Sequence, residues 1–114
     1  ILCYQIDNTG SVIENTQNVV VQFDIDFTGF TQYKVTLCYT KDDSSAGDTH
    51  DIRVIDVSNA SNFFEMLNIS NGTNTKALTT NAAWMTGVKR LKVQHKANAT
   101  GNTPTLHNFS MYLK

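Results

Sequence analysis

The sequence predicts an all-β fold, a two-sheet antiparallel β-sandwich of jelly-roll type. Apolar and polar residues alternate with a period of two along most of the chain, which is the pattern of half-buried strands. Thr, Val, Asn and Asp are frequent and there is one Pro, a composition that favours strands joined by polar turns. The 114 residues are enough to bury one core, so we expect a single domain over residues 1–114.

The alternation is clearest in two segments of the first half of the chain. Every second residue of "VVVQFDIDF" is apolar, from Val19 to Phe27, and the same holds for "QYKVTLCYT" from Tyr33 to Tyr39. Between them, "TGFT" has the glycine of a tight turn. These segments predict two neighbouring strands, each with one face toward the core.

The middle of the chain is harder to assign. "KDDSSAGD" indicates a polar loop. In "HDIRVIDVS", Ile52 and Val54 share one face whereas Ile55 and Val57 share the other, so either a β-bulge or burial on both faces is expected. "FFEMLNIS" fits a strand or one helical turn, and we favour the strand.

The last third of the chain predicts two further strands, "GVKRLKVQHK" and "LHNFSMYLK", joined by the turn residues of "ANATGNTPT". If these strands pair antiparallel, Leu91 lies opposite Met111 and Val93 opposite Phe109, so that inward residues meet inward residues. The same register gathers outward polar side chains into one patch, which consists of Arg90, Lys92, Gln94, Asn108, Ser110 and Tyr112.

Trp84 and this patch are the candidate ligand-binding residues. Trp84 lies in the predicted loop "TTNAAWMTG", where an indole suits sugar stacking or an interface, or else plugs one end of the sandwich. The polar patch suits a hydroxyl-rich ligand or a neighbouring subunit, and it equally fits an ordinary hydrated sheet face.

Five Asn-x-Ser/Thr sequons are present, at Asn59, Asn68, Asn71, Asn98 and Asn108. Chance would give about two in a chain of this composition. Asn71 and Asn98 are the expected N-glycosylation acceptors because both fall in predicted loops. The alternative is an Asn- and Thr-rich surface that carries no glycan.

Cys3 and Cys38 both fall on predicted outward strand faces. They predict either one disulfide, which would indicate an oxidising compartment, or two free thiols. The absence of a Cys-x-x-Cys pair argues against structural zinc.

Several residues could bind a metal or transfer protons, and the position of each also has a purely structural explanation. His95 and His107 lie on apolar faces and would be cross-strand neighbours in the register above, where they would bind a metal, sense pH or sit satisfied at the sheet margin. An acidic loop with His50 nearby offers oxygen ligands for calcium or is a solvated turn; its acids are Asp42, Asp43, Asp48 and Asp51. Without a catalytic motif, we expect neither an enzyme nor a bound cofactor.

Charge and hydropathy exclude two classes of partner. A net charge of −1 with 17% charged residues gives no field for nucleic acid. No apolar run approaches the roughly 20 residues of a membrane span, so we expect no membrane insertion. The opening "ILCY" is expected to be a strand and not a signal peptide.

The order of "YKVTLCYT", "HDIRVID", "AAWMTGVKRLKVQHK" and "PTLHNFSMYLK" resembles the galactose-binding-like jelly rolls of carbohydrate-binding modules. That group commonly places a Trp-containing loop before a long strand and ends with a strand of the form Asn-Phe-x-Met/Val-x-Leu. The resemblance covers about 80 residues and implies a sandwich that binds sugar. Similar sandwiches occur in virion and tail-fibre proteins.

Two functions are therefore expected as alternatives. The first is a non-catalytic recognition module at an extracellular or virion surface, binding carbohydrate or a cell-surface receptor. The second is a structural component of a viral or extracellular assembly, such as a fibre, capsid or decoration domain, in which copies of the chain form a homo-oligomer.

Overall fold

The computed structural model describes residues 2–12, 18–41, 47–97 and 104–114, with side chains for 22–41, 47–95 and 104–114. These ranges contain no helix long and apolar enough to cross a membrane. They form eight strands: β1 Leu2–Val12, β2 Asn18–Asp26, β3 Gln32–Thr40, β4 His50–Asp56, β5 Phe63–Met66, β6 Gly72–Thr80, β7 Val88–Ala97 and β8 Thr105–Leu113.

The strands form two four-stranded antiparallel sheets. The first sheet has the order β1-β8-β3-β6 and the second has the order β2-β7-β4-β5. Consecutive strands mostly lie in different sheets, and this strand order is that of a jelly roll. The predicted fold class, an all-β antiparallel sandwich, is confirmed.

The core lies between the two sheets and follows the period-two pattern. In β3, Tyr33, Val35, Leu37 and Tyr39 are buried and alternate with half-buried residues. The second sheet supplies the facing apolar layer, whose fully buried members include Ile52, Val54, Leu91 and Val93. Burying one side chain of this size contributes about 1.5–3 kcal/mol, so this layer is the main source of stability.

The predicted pairing of the last two strands is wrong. β7 pairs with β2 and β4, whereas β8 pairs with β1 and β3. Leu91 therefore lies beside Phe23 in the second sheet, and Met111 lies beside Val35 in the first sheet. Alternation fixes which face of a strand is apolar, but any apolar face can meet any other, either across the core or side by side.

The predicted turn at "TGFT" is present, although it does not form a hairpin. Phe30 N–H donates to the Phe27 carbonyl at 3.0 Å, and Gly29 has a φ of 82°, a conformation that glycine adopts without strain. The turn carries the chain from β2 in the second sheet to β3 in the first.

Burial on both faces, one of the two alternatives for "HDIRVIDVS", is confirmed at Ile55, whereas Val57 lies beyond the strand and is 41% exposed. The pairing of β4 with β5 and β7 continues without a bulge. Ile55 lies on the outer face, between Phe63 and Lys92 of the neighbouring strands, and is only 5% exposed. "FFEMLNIS" contains the predicted strand as β5.

The Cys3–Cys38 disulfide is not formed. Cys38 is a free thiol, and the Cys3 side chain lies outside the described part of the structure. β8 separates their strands, with Cys3 paired to Tyr112 and Cys38 to Asn108. Two strand spacings of about 4.8 Å, plus the offset along β8, exceed the Cα separation of about 7 Å that a disulfide tolerates.

We predict that Phe109→Ala lowers the free energy of unfolding by about 3–5 kcal/mol, because the buried ring of Phe109 packs on Phe23 at 5.7 Å and its loss leaves a cavity. Urea unfolding measures this change. The adjacent Ser110→Ala, on the outer face, should cost less than about 0.5 kcal/mol. Equal effects of the two substitutions would contradict the assigned faces.

Candidate functional site

One side of the sandwich is open. On one side, the long edge strands β1 and β2 contact each other. On the other side, the nine-residue β6 faces β5, which has only four residues. Asn74 and Lys76 of β6 pair with Leu37 and Val35, whose side chains point into the core. Half-buried polar side chains thus occupy the inward face of β6, and the apolar core does not close there.

Two hollows lie at this side, which we call the open edge: β5, β6 and the turn 67–71 between them. The Lys41 hollow has a volume of about 300 Å³ and is lined by Lys41, Asp48, Thr49, His50, Asn68, Ile69, Ser70 and Asn71. The Lys76 hollow has a volume of about 260 Å³ and is lined by Glu65, Met66, Leu67, Ile69, Asn74, Thr75 and Lys76. Ile69 lines both hollows, so they are neighbours.

The walls of the Lys41 hollow are held by hydrogen bonds. The Lys41 backbone N–H donates to Asn71 Oδ1 at 2.7 Å, and the Lys41 ammonium donates to the Asp48 carbonyl at 2.8 Å. The Ile69 N–H donates to the His50 carbonyl at 2.8 Å. These bonds join the β3–β4 and β5–β6 connections, so the two walls are fixed relative to each other.

The turn 67–71 is stabilised by its own polar side chains. Asn68 has a φ of 53°, a left-handed conformation that Asn tolerates well, and its N–H donates to Asp51 Oδ1 at 3.0 Å. Asn74 Nδ2 donates to the carbonyls of Ser70 and Gly72, while its Oδ1 accepts from the Ser70 N–H. The turn is therefore shaped before any ligand arrives.

A buried group of three rings lies behind the Lys41 hollow. Tyr39 Oη is 3.0 Å and His95 Nε2 is 3.2 Å from the same atom, His50 Nδ1, and all three side chains are fully buried. A ring nitrogen offers either one proton or one lone pair. His50 Nδ1 is thus shared between its two neighbours, which holds the three rings at one end of the core.

The predicted pairing of His95 with His107 is wrong. His107 belongs to β8 in the other sheet, and its Nε2 lies 2.7 Å from Thr40 Oγ1. His95 instead meets His50, which the sequence suggested only as a neighbour of the acidic loop. Within the described ranges, no three His, Cys, Asp or Glu side chains are close enough to hold a metal ion.

The acidic loop is only partly described. Asp42 and Asp43 lie outside the described residues, so calcium binding there stays a prediction. Asp48 is buried beside the Lys41 hollow, and Asp51 accepts the N–H of Asn68. Both therefore contribute to the walls around the hollow.

Trp84 lies far from the Lys41 hollow. It belongs to the β6–β7 connection, whereas the Lys41 hollow lies at the opposite end of the strands. Its half-buried indole meets Phe27 edge-on, with ring centroids 6.3 Å apart. This packing matches the alternative in which Trp84 plugs one end of the sandwich.

The predicted polar patch is not one surface. Arg90, Lys92 and Gln94 belong to β7 on the outer face of the second sheet, whereas Asn108, Ser110 and Tyr112 belong to β8 on the outer face of the first sheet. The error follows directly from the wrong pairing of these strands. Arg90 forms two hydrogen bonds with Asp24, at 2.8 and 3.1 Å. A binding role for either half stays a prediction.

The expected glycan acceptors differ in what the structure describes. Asn71 is exposed, and its Oδ1 accepts from the Lys41 N–H, a bond that does not use Nδ2, the atom that carries an N-glycan. Asn98 lies outside the described residues. Glycosylation at both positions stays a prediction.

The open edge was not predicted from the sequence, although "GTNTKALTT" contains a signal for it. Its inward positions carry Asn74 and Lys76 where a core strand would have apolar residues.

The sequence matches no protein-family model and no curated protein. Fold and site together define the class as a jelly-roll sandwich with a polar cleft along one edge.

Asp56 supports the other end of the sandwich. Burial raises the pKa of Asp56, but hydrogen bonds from Asn62 and Ser58 and the positive charge of Lys89 lower it by more. The net shift of the pKa is therefore downward from 3.8. Both the N–H and the hydroxyl of Ser58 donate to Asp56 Oδ1, at 3.0 and 2.8 Å. The Asp56 carboxylate therefore stabilises the β4–β5 connection by accepting its hydrogen bonds.

We predict that Asp56→Asn lowers the free energy of unfolding at pH 7 by about 1–3 kcal/mol, because the donors around it lose a charged acceptor. The depressed pKa of Asp56 adds stability that is present above about pH 4 and is lost as the pH falls through the lower, folded-state pKa. Urea unfolding between about pH 2 and 7 measures both effects. Asp24→Asn, at an exposed carboxylate, is the control and should cost less. An unchanged acid profile in Asp56→Asn would contradict this role.

Proposed function

We propose that the protein is a non-catalytic recognition module that binds carbohydrate at the open edge, on an extracellular or virion surface. The observation that carries the proposal is a pair of adjacent hollows on either side of the turn 67–71. The polar inward face of β6, opposite the shorter β5, lines the Lys76 hollow, and the β3–β4 connection and the turn line the Lys41 hollow. Concave sites with a few fixed polar groups are the usual form of small-molecule sites.

The chemistry of the Lys41 hollow suits one sugar unit. Its volume of about 300 Å³ is at the lower end of the range for small-molecule sites. Asn68 and Asn71 offer side-chain amides, which both donate to and accept from hydroxyl groups. Lys41 and Asp48 add an ammonium and a carboxylate, and Ile69 adds an apolar contact for the C–H groups of a ring.

The hydrogen-bonded walls of the Lys41 hollow favour binding because few of their side chains and loops have to become ordered when a ligand binds. The 2.7 Å hydrogen bond from the Lys41 N–H to Asn71 Oδ1 already joins the two connections, and Asn74 holds the turn from Ser70 to Gly72. Immobilising flexible side chains and loops on binding costs affinity, so a site that is rigid beforehand retains more of its contact energy.

The proposal excludes glycoside hydrolysis at this site. That reaction uses a pair of carboxyl groups on either side of the scissile bond. Among the residues lining the Lys41 hollow, Asp48 is the one carboxylate. Glu65 lines the neighbouring hollow and forms an ion pair with Arg53 at 3.3 Å.

A structural component of a viral or extracellular assembly is the second candidate. Capsid domains share the jelly-roll architecture with lectins. Leu67 is 63% exposed and Val88 is 68% exposed, and contacts between copies of the chain would bury such side chains. In this alternative the protein acts as a homo-oligomer.

Glycan-array screening of the purified protein, followed by titration of the best neutral sugar, tests the first candidate. Asn68→Gly removes the side-chain amide while glycine accepts the φ of 53°. We expect it to weaken binding about tenfold, the effect of one lost hydrogen bond. Asn59→Gly, at an exposed position of the β4–β5 connection that lines neither hollow, is the matched control and should bind normally.

Two results would contradict the carbohydrate proposal. One is an unchanged affinity in Asn68→Gly, which would show that the sugar does not reach the Lys41 hollow. The other is an array without hits together with a stable trimer or larger assembly by light scattering, which would favour the structural component.

We further predict that Trp84→Ala leaves sugar affinity unchanged and lowers the free energy of unfolding by about 2 kcal/mol, because half of the indole packs on Phe27 and the core. Thermal unfolding and the same sugar titration measure the two effects separately. If the variant remains folded but loses affinity for the sugar, Trp84 is part of the binding site and this prediction is wrong.

A further inference from the structure

Lys76 places a positive charge on the inward side of the sandwich. It pairs with Val35, a fully buried core residue, and is itself half-buried at the margin of the Lys76 hollow. Moving an ammonium away from water costs free energy unless an opposite charge compensates it. Lysine is among the residues least often buried without a partner.

The described part of the chain supplies no such partner. No hydrogen bond or ion pair within it involves the Lys76 ammonium. Glu65 is the one carboxylate among the residues lining this hollow, and it pairs with Arg53 at 3.3 Å. The guanidinium of Arg53 also stacks on the Phe63 ring at 4.3 Å, which holds it, and with it the Glu65 carboxylate, on the outer face of the second sheet.

The other polar groups of the hollow are largely occupied. Asn74 uses its amide to hold the turn at Ser70 and Gly72. The remaining wall consists of Met66, Leu67, Ile69 and Thr75. Lys76 is therefore the charged group that is available to a ligand, and because it is half-buried, water screens its attraction for an anion less than it would for an exposed lysine.

Ile69 lines both hollows, which therefore lie next to each other on either side of the turn 67–71. We propose that the Lys76 hollow receives the anionic substituent, a carboxylate or a sulfate, of an acidic oligosaccharide whose neutral unit lies in the Lys41 hollow. This inference rests on the proposed function and adds the class of sugar. The attraction is electrostatic, so salt weakens it.

An inward lysine on an edge strand also has a purely structural use, since it discourages pairing with another chain. The two roles predict different results. A lysine that only protects the edge would change aggregation when substituted and would leave ligand preference unaltered. A ligand-binding lysine would change the preference for charge and leave the affinity for neutral sugar unaltered.

Calorimetric titration with lactose, sialyllactose and sulfated lactose tests the proposal. We expect the wild-type protein to bind at least one acidic sugar about tenfold more tightly than lactose. Lys76→Gln should remove this preference and keep lactose affinity, whereas Lys76→Arg should retain the preference. Lys89→Gln, a half-buried lysine at the start of β7 near Asp56, is the matched control and should show the sugar preference of the wild type.

The outcomes separate this inference from the function on which it rests. Preference for only the sialylated or only the sulfated sugar supports the inference and identifies the anion. Equal affinity for all three sugars, or a preference that persists in Lys76→Gln, overturns it and leaves carbohydrate binding intact. If none of the three sugars binds and the glycan array is also empty, both proposals fail.

Discussion

The packing of two apolar sheet faces against each other is the interaction on which the rest of the structure depends. The central strands β8 and β3 of one sheet, with β7 and β4 of the other, supply the fully buried side chains, among them Leu37, Val54, Val93 and Phe109. Each central strand has a neighbour on both sides, so its backbone groups are paired and its inward face is covered. The edges have no such constraint, and the sandwich departs from its pattern there.

The open edge is a direct result of unequal edge strands. β5 ends after four residues, so the inward side of the nine-residue β6 has no full partner across the core. Apolar residues would be exposed at that position, and Asn74 and Lys76 stand there instead. The same positions that could not stabilise a core provide the polar groups of a cleft, and the turn at Asn68 divides that cleft in two.

The period of two predicted most strands and their faces correctly because it is a local property of the chain. It predicted burial along β3, and it left burial on both faces of β4 open, which Ile55 confirmed. It did not identify strand partners, because a strand with Leu91 inward fits beside Met111 or across the core from it. Because the predicted pairing was wrong, it placed Arg90 and Tyr112 on one surface and did not predict the contact between His95 and His50. The meeting of those histidines depends on residues far apart in sequence, for which no local pattern exists.

The end of β8 is held firmly at the pole of the molecule that carries Trp84. Lys114 N–H donates to the Gln32 carbonyl at 3.0 Å, and the Lys114 carbonyl accepts from the N–H groups of Thr31 and Gln32. The turn between the two hollows lies at the other pole. A contact made at the pole that carries Trp84 would therefore leave the Asn68 turn facing solution at the far end of the molecule.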